Sequence, residues 1–524
     1  SCRIFFGKIF IIQDKIFFKA LNTIYSFLFK KTFLLYSNSY FNLVMEVSLM
    51  VAQLLDSIVG VLWGPVLLIG LIGVGLFFTI STGFWQVRNF GQAFKFCFFP
   101  KKTPGVLANT DNNISPYQAA CVAIAGSIGA GNIGGVASAI ALGGPGVLFW
   151  MWITALVGMM TKMVEVTLAV YYRRKDEEGK NTGGPLFYIE KGIGKKFKFW
   201  KPIAFLFASG LFLQLFLSPE SFSVGESIQE LTGVRAIYAS TFFSFLCLIV
   251  VFGGLKRVVG FASVMMPLMS FFYLIFGVYV IALNASQLPA AISLIFKSAF
   301  TPVAAIGGFA GTTLLLTLRT GISRGLFSNE AGWGTSPMAH ATASNKHPVE
   351  QGMWGMMEVF IDTLVICTIT GLAIIVTGEW SSGAAGATLT MRAFSHGLGK
   401  FASAYVAISL FLFCWTTVTG WFSYFHSMLE YTFKNDAKKR KIAITILKFA
   451  TPGFGWLMAL LIDVWKVDIA YAWLIVDISS AIPTYVNLIV LLWLTKEFKW
   501  ILKDYEGPQK MYGLPEYDEV QMNS

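Results

Sequence analysis

The stretch GSIGAGNIGG, residues 126–135, contains Gly-Ala-Gly-Asn-Ile-Gly and so satisfies the Gly-x-Gly-x-x-Gly pattern of a dinucleotide-binding turn. That turn works only between a strand and a helix, in a soluble unit of alternating strands and helices. The 524-residue chain around it is 55% hydrophobic, 16% aromatic and only 13% charged, whereas soluble domains carry about 25% charged residues. Too little polar surface remains to cover a soluble globule of this size. The chain reads as a membrane protein, and its glycines need another explanation.

A net charge of +12 and a pI near 9.2 raise nucleic acid as a partner. No basic patch interleaved with aromatics lies on a polar segment, so nucleic acid is set aside and the lipid bilayer is the expected surrounding. Cys2, Cys97, Cys121, Cys247, Cys367 and Cys414 are scattered, with the spacing of neither a zinc site nor a disulfide framework. No cofactor is expected. Residues 1–44 contain no methionine before Met45 and no recognisable pattern; they are expected to lie upstream of the true start and stay outside the fold reasoning.

A helix crosses the hydrocarbon core with about 20 apolar residues. Such runs occur near 52–80, 117–142, 145–171, 202–217, 237–252, 259–283, 303–337, 353–378, 401–432, 442–462 and 469–495, which predicts eleven spans. If the second span runs outward from the cytoplasm, the inside connections hold 24 Lys and Arg and the outside ones 5. The excess of basic residues belongs inside, so the N-terminus is expected outside and the C-terminus in the cytoplasm of a multi-pass cell (plasma or inner) membrane protein.

The second and seventh spans are interrupted, by 126–135 and by RTGISRGLFSNEAGWG, residues 319–334. They lie five spans apart and so enter the membrane from opposite sides. Paired broken helices in two inverted halves point to a secondary transporter with its site near the bilayer midplane. Bare backbone at that depth is tolerated only where protein or ligand satisfies it. Gly129 and Gly131 let an ion or small solute approach the main chain. The half-helix starting near Asn132 suits a carboxylate, and the carbonyls ending near Ile128 suit a cation. Close helix packing alone would explain one glycine-rich span, but not the second break five helices on.

The residues resemble the alanine or glycine:cation symporter family, sodium-coupled amino-acid carriers of the amino acid-polyamine-organocation superfamily. The resemblance is carried by SPYQAA (115–120), GAGN (129–132), LGGPG (142–146) followed by FWMW (149–152), GGP (183–185), YIE (188–190), GGLKR (253–257), RGLFSNEAG (324–332), HPVEQG (347–352) and FIDT (360–363). It covers most of the chain from about 53 to 500. It implies an all-α integral membrane protein with an inverted 5+5 repeat and one extra N-terminal helix. The expected organisation is the extra helix and its link in 45–102, a first five-helix repeat in 103–285, a second in 286–500 and a cytoplasmic tail in 501–524.

The resemblance also implies roles. Gly129, Ala130, Gly131 and Asn132 would receive a small amino acid, with the amides of Ala130 and Gly131 on its carboxylate and Ser328, Asn329 and Gly332 near its ammonium. A co-transported sodium ion would lie between Ala125 and Ile128 on one side and Thr416 and Thr417 on the other, with Asn132 resembling a ligand of a second sodium. Where the family tends to show a Gln and an Asn-Ser pair, this chain reads SPESFSVGES, residues 218–227; Val486 stands where a proline is usual.

Ionisable groups inside spans cost about 3 kcal/mol on insertion scales, so each invites an account. Glu165 lies three residues after Lys162, and a structural ion pair is preferred to a proton relay. Arg324 and Glu330 flank the second break and are expected to pair with each other. Asp362 is open between a packing contact and a coupling residue. Thr416 and Thr417 could instead bond carbonyls of their own helix. His340 and His347 are placed in a solvated loop, and with His396 and His426 they form no catalytic set. The function read from all this is sodium-coupled symport of an alanine- or glycine-class amino acid. The alternatives are proton coupling or another substrate class, then a passive channel or a membrane-embedded enzyme. Oligomeric state is not read from the sequence.

Overall fold

The computed structural model describes residues 50–51, 53–99, 114–177, 179–216, 218–304, 306–467 and 469–507; residues 1–44 lie outside them. Two compact units emerge, Ser1–Ile58 and Val59–Ser524. In the first, helix is described from Gln53 to Ile58. The rest of the description concerns the second.

It is almost entirely helical. The helices are α1 Pro65–Ser81, α2 Pro116–Ser127, α3 Val136–Gly143, α4 Val147–Tyr171, α5 Trp200–Leu215, α6 Glu220–Thr232, α7 Ala236–Phe252, α8 Gly254–Leu283, α9 Leu288–Phe300, α10 Leu314–Asn329, α11 Pro348–Val359, α12 Thr368–Val376, α13 Gly386–Leu398, α14 Phe401–Thr432, α15 Ala437–Asp463, α16 Ile469–Trp493 and α17 Thr495–Glu506, with shorter turns between. The described strand pairing is small, Arg174–Lys175 against Asn181–Thr182. Among the described residues, eight helices are long and apolar enough to cross a membrane, or nine if the bent pair α2 and α3 counts as one span. The protein is a multi-pass membrane protein.

Several expected boundaries move, for local reasons. The predicted span 303–337 shrinks to the 16-residue α10, because residues before it close into tight bridges, Val303 with Thr312 and Ile306 with Phe309, around Gly307 and Gly311 at positive φ. Residues 218–236, expected as an outer connection, mostly form α6, whose N-terminus is set by Pro219 after α5 ends. Residues 501–506, assigned to the tail, complete α17. That amphipathic helix packs back on the bundle: Trp85 donates Nε1–H to Glu506 at 2.8 Å, and His347 Nε2 meets Asp504 at 3.1 Å.

The two sequence breaks are real bends in the backbone. Helix α2 opens with a reciprocal cap, in which the Gln118 amide bonds the Ser115 hydroxyl and the Ser115 amide bonds the Gln118 side chain. It stops where Ile128 turns extended (φ −76°, ψ 101°). The Gly129 amide leaves the helix ladder and donates to Asn132 Oδ1 at 2.9 Å. A π-helical turn, Gly131–Gly135, leads into α3 at 50° to α2. The second break follows α10: Glu330 takes a left-handed conformation (φ 56°), which strains a residue with a side chain, and Gly332 and Gly334 follow at φ 94° and 82°. A second π-helical stretch, Phe360–Cys367, joins α11 to α12; such irregular turns often mark functional sites.

Helix α14 runs directly against the first break. A Cβ added to Gly420 would stand 3.0 Å from both the Cα and the N of Gly126, one added to Gly126 would clash with the Tyr424 hydroxyl at 2.3 Å, and one at Gly129 with Thr417 Oγ1 at 2.6 Å. The packing explanation for these glycines therefore holds alongside the unwinding.

Candidate functional site

A cavity of about 50 Å³ lies between the two breaks, room for a few water molecules. Gly126, Ser127, Gly129, Ala130 and Gly131 form one wall; Phe327, Glu330 and Trp333 come from the second break. Helix α14 contributes Thr417, Val418, Trp421 and Phe425, and the far side is Gln214, Leu215, Ser218, Pro219, Glu220 and Thr451. Sequence reasoning named the first wall and Thr417 but missed the aromatics. Their signal was present: Thr417, Trp421 and Phe425 recur every four residues, which places them on one helix face.

The expected residues divide by contact. Thr417 Oγ1 reaches the Ile128 carbonyl and its own helix carbonyl at Phe413, both at 2.9 Å, so it meets the break directly. Thr416 does not: its hydroxyl lies against Phe413 O at 2.9 Å, Leu412 O at 3.2 Å and Met269 Sδ at 3.4 Å. Ala125, Ile128 and Asn132 are buried and are not among the residues lining the cavity. The main chain of Ala130 also meets the Cys414 thiol.

Asn132 is at the centre of a second, drier cluster. Its Nδ2 donates to Asp362 Oδ1 at 2.7 Å, Ser328 Oγ at 3.0 Å and Cys367 Sγ at 3.3 Å. Asp362 Oδ2 accepts from Ser328 Oγ at 2.5 Å and Thr363 Oγ1 at 2.7 Å. Asn329 donates to Thr363 Oγ1 at 3.1 Å and accepts the Ala331 amide at 3.0 Å. Thr370 Oγ1 bonds the Asn132 carbonyl at 2.9 Å and shares a hydrogen bond with the Tyr273 hydroxyl. Residues from both breaks and from the π-helical stretch thus surround one fully buried carboxylate. Its donors are all neutral, and no cationic side chain pairs with it among the described residues.

The expected pairings among buried charges are corrected. Lys162 does not pair with Glu165; its ammonium bonds Ser336 Oγ at 2.7 Å, the Glu330 carbonyl at 3.0 Å and Glu358 at 3.5 Å. Glu165 instead accepts from Asn487 at 2.5 Å, and Asn487 also bonds the Gly332 carbonyl at 3.0 Å. Glu330 accepts from Thr335 at 2.5 Å, while Arg324 lies 3.8 Å from Asp477 and over the Phe327 ring at 5.7 Å. Asn487, Asp477 and Glu358 come from other helices, whereas Glu330 takes Thr335 from its own connecting segment. His340 and His347 are buried rather than solvated. The Gln351 amide donates to His340 Nδ1 at 2.8 Å, so its Nε2–H faces Glu358 at 2.9 Å.

The comparisons agree with this architecture. The sodium:alanine symporter family matches residues 48–519. The chain is 33% identical over 452 residues to "Sodium/alanine symporter AgcS" of Methanococcus maripaludis, covering 84% of this chain and 94% of that one. It is 35% identical over 464 residues to "Probable sodium/glutamine symporter GlnT" of Bacillus subtilis, covering 87% and 92%. The crystal structure of MhsT in complex with L-phenylalanine shares the fold, with a TM-score of 0.54 at 16% identity over 73% of this chain and 89% of that one.

Proposed function

The chain belongs to the sodium:alanine symporter family, a transporter and not an enzyme, and from that premise we propose that it carries a small neutral amino acid together with sodium by alternating access. The observation that supports this most is the meeting of both helix breaks at one small cavity, with the Ile128 carbonyl held by Thr417 beside it. The Gly131 amide, at the start of the turn into α3, offers a carboxylate a positive helix end, while the Gly129 amide is held by Asn132 Oδ1. The Ile128 carbonyl and Thr417 hydroxyl offer sodium two hard oxygens.

Asp362 is the second element of the proposal. A fully buried carboxylate without a cation is costly at membrane depth. Sodium bound beside it, with Ser328 and Thr363 hydroxyls as further oxygen ligands, relieves that cost and ties the ion to both breaks through Asn132. The same carboxylate favours a second reading, coupling to protons instead. The finer architecture belongs to this proposal as well: eleven crossings, an extra N-terminal helix, inverted repeats in 103–285 and 286–500, and a cytoplasmic C-terminus supported by the basic inner connections.

Purified protein in liposomes tests it. Uptake of labelled alanine or glycine should require an inward sodium gradient and create an inward current. Equal uptake with and without that gradient, at fixed pH, refutes sodium coupling; uptake driven by a proton gradient alone favours the second reading.

A further inference from the structure

The departure at residues 218–227 places an acid on the cavity wall. Glu220 opens α6 immediately after Pro219, and Ser218 donates its hydroxyl to Glu220 Oε2 at 2.6 Å. Both line the cavity, across from the wall built by Gly126 to Gly131. Of the other polar side chains lining the cavity, the Trp333 indole N–H is buried without a hydrogen-bond partner and can only donate, so it cannot receive an ammonium; the rest are engaged. Ser127 bonds Ala123 and Ile124 carbonyls, Gln214 Oε1 accepts from Ser479, Glu330 accepts from Thr335, and Thr417 holds Ile128 and Phe413. No Lys, Arg or His lines the cavity, and Glu220 has no ion-pair partner among the described residues. Meanwhile Ser328, Asn329 and Gly332, expected to receive an ammonium, are bound to other groups and do not line the cavity.

We propose that Glu220 determines substrate charge: its carboxylate pairs with the ammonium of the carried amino acid, and its negative field excludes amino acids with acidic side chains. This rests on the cavity being the amino-acid site. A carboxylate in the first turn also favours the helix dipole, and that role alone predicts a change in stability without a change in selectivity. The pairing predicts both affinity and selectivity effects, because only a zwitterion with its positive end toward Glu220 can place its carboxylate against the break. A second carboxylate on the solute would stand beside Glu220 in a space of low polarity, where like charges repel strongly.

The test is uptake by proteoliposomes with alanine and competition by glutamate, aspartate and lactate. In the wild type, none of the three should compete. Glu220→Gln should raise the KM for alanine about 10- to 100-fold, the range of one charge-assisted hydrogen bond, and glutamate should gain as a competitor relative to alanine. Glu220→Asp should keep the exclusion of glutamate. Ser218→Ala, which frees the carboxylate without removing it, should raise KM a few-fold and serves if Glu220→Gln does not fold. Unchanged KM and unchanged glutamate exclusion in Glu220→Gln, with an active wild type, overturn the role of Glu220 alone. A wild type that takes up no amino acid overturns the cavity reading and this inference together.

Discussion

Thr416 and Thr417 are adjacent hydroxyls on α14, and only one of them meets the first break. Thr417→Val keeps the shape of the side chain and removes the oxygen that reaches the Ile128 carbonyl at 2.9 Å. A sodium ion bound there would lose one of its oxygen ligands, an interaction with a charge on the order of 2 kcal/mol. At ~1.4 kcal/mol per tenfold change, the sodium concentration for half-maximal uptake should rise roughly 30-fold. Thr416→Val removes a hydroxyl directed at its own helix and at Met269, so its sodium dependence should shift less than about 3-fold, within the small effect expected of a hydroxyl back-bonded to its own helix. Thr417→Ser should restore most of the lost affinity. Initial rates of alanine uptake across a sodium series, in liposomes with matched protein content, measure all three. Should Thr416→Val prove as damaging as Thr417→Val, the assignment of the sodium site to the Ile128 carbonyl is wrong.

Three further outcomes follow from packing and charge. Gly126→Ala forces a methyl group into the Tyr424 hydroxyl at 2.3 Å and should destabilise by about 1–3 kcal/mol, seen as a lower melting temperature in detergent; an unchanged one would mean the helices part easily. Glu358→Gln leaves Lys162 buried without its anion, at a cost of ~3–5 kcal/mol; adding Lys162→Met should recover much of the lost stability, and no recovery would show that the acid acts otherwise. Asp477→Asn weakens the contact of α16 with Arg324 above Phe327, and should speed efflux of preloaded amino acid into sodium-free medium, whereas slower efflux would argue against a barrier there.

The breaks were legible because glycine and polar residues inside an apolar run have few stable alternatives at membrane depth. The wall of the cavity was legible in part for the same reason. The partners of buried charges were not. A local rule joins Lys162 to Glu165, but Glu358, 196 residues away, takes that place, and no spacing along the chain announces it. The threonine pair shows the limit at its smallest scale: successive residues point about 100° apart on a helix, so one faces the break and the other cannot, yet the sequence does not give the helix's rotation. The sequence marked residues 218–227 as a departure without singling out Glu220, and did not tell that α6 would begin there and bring it to the cavity.

At Gly126 and Gly420 two helices touch with no side chain between them, so a tilt of one on the other would turn about that fulcrum. The Tyr424 hydroxyl stands against Gly126 on one side, and a pivot at this point would keep the contact while the helix ends move. From Gly126 back to Pro116 the helix is an arm of about 15 Å at 1.5 Å per residue. Tilting that arm through ~15° swings its free end by roughly 4 Å, wide enough to admit water along one side while the fulcrum itself stays shut.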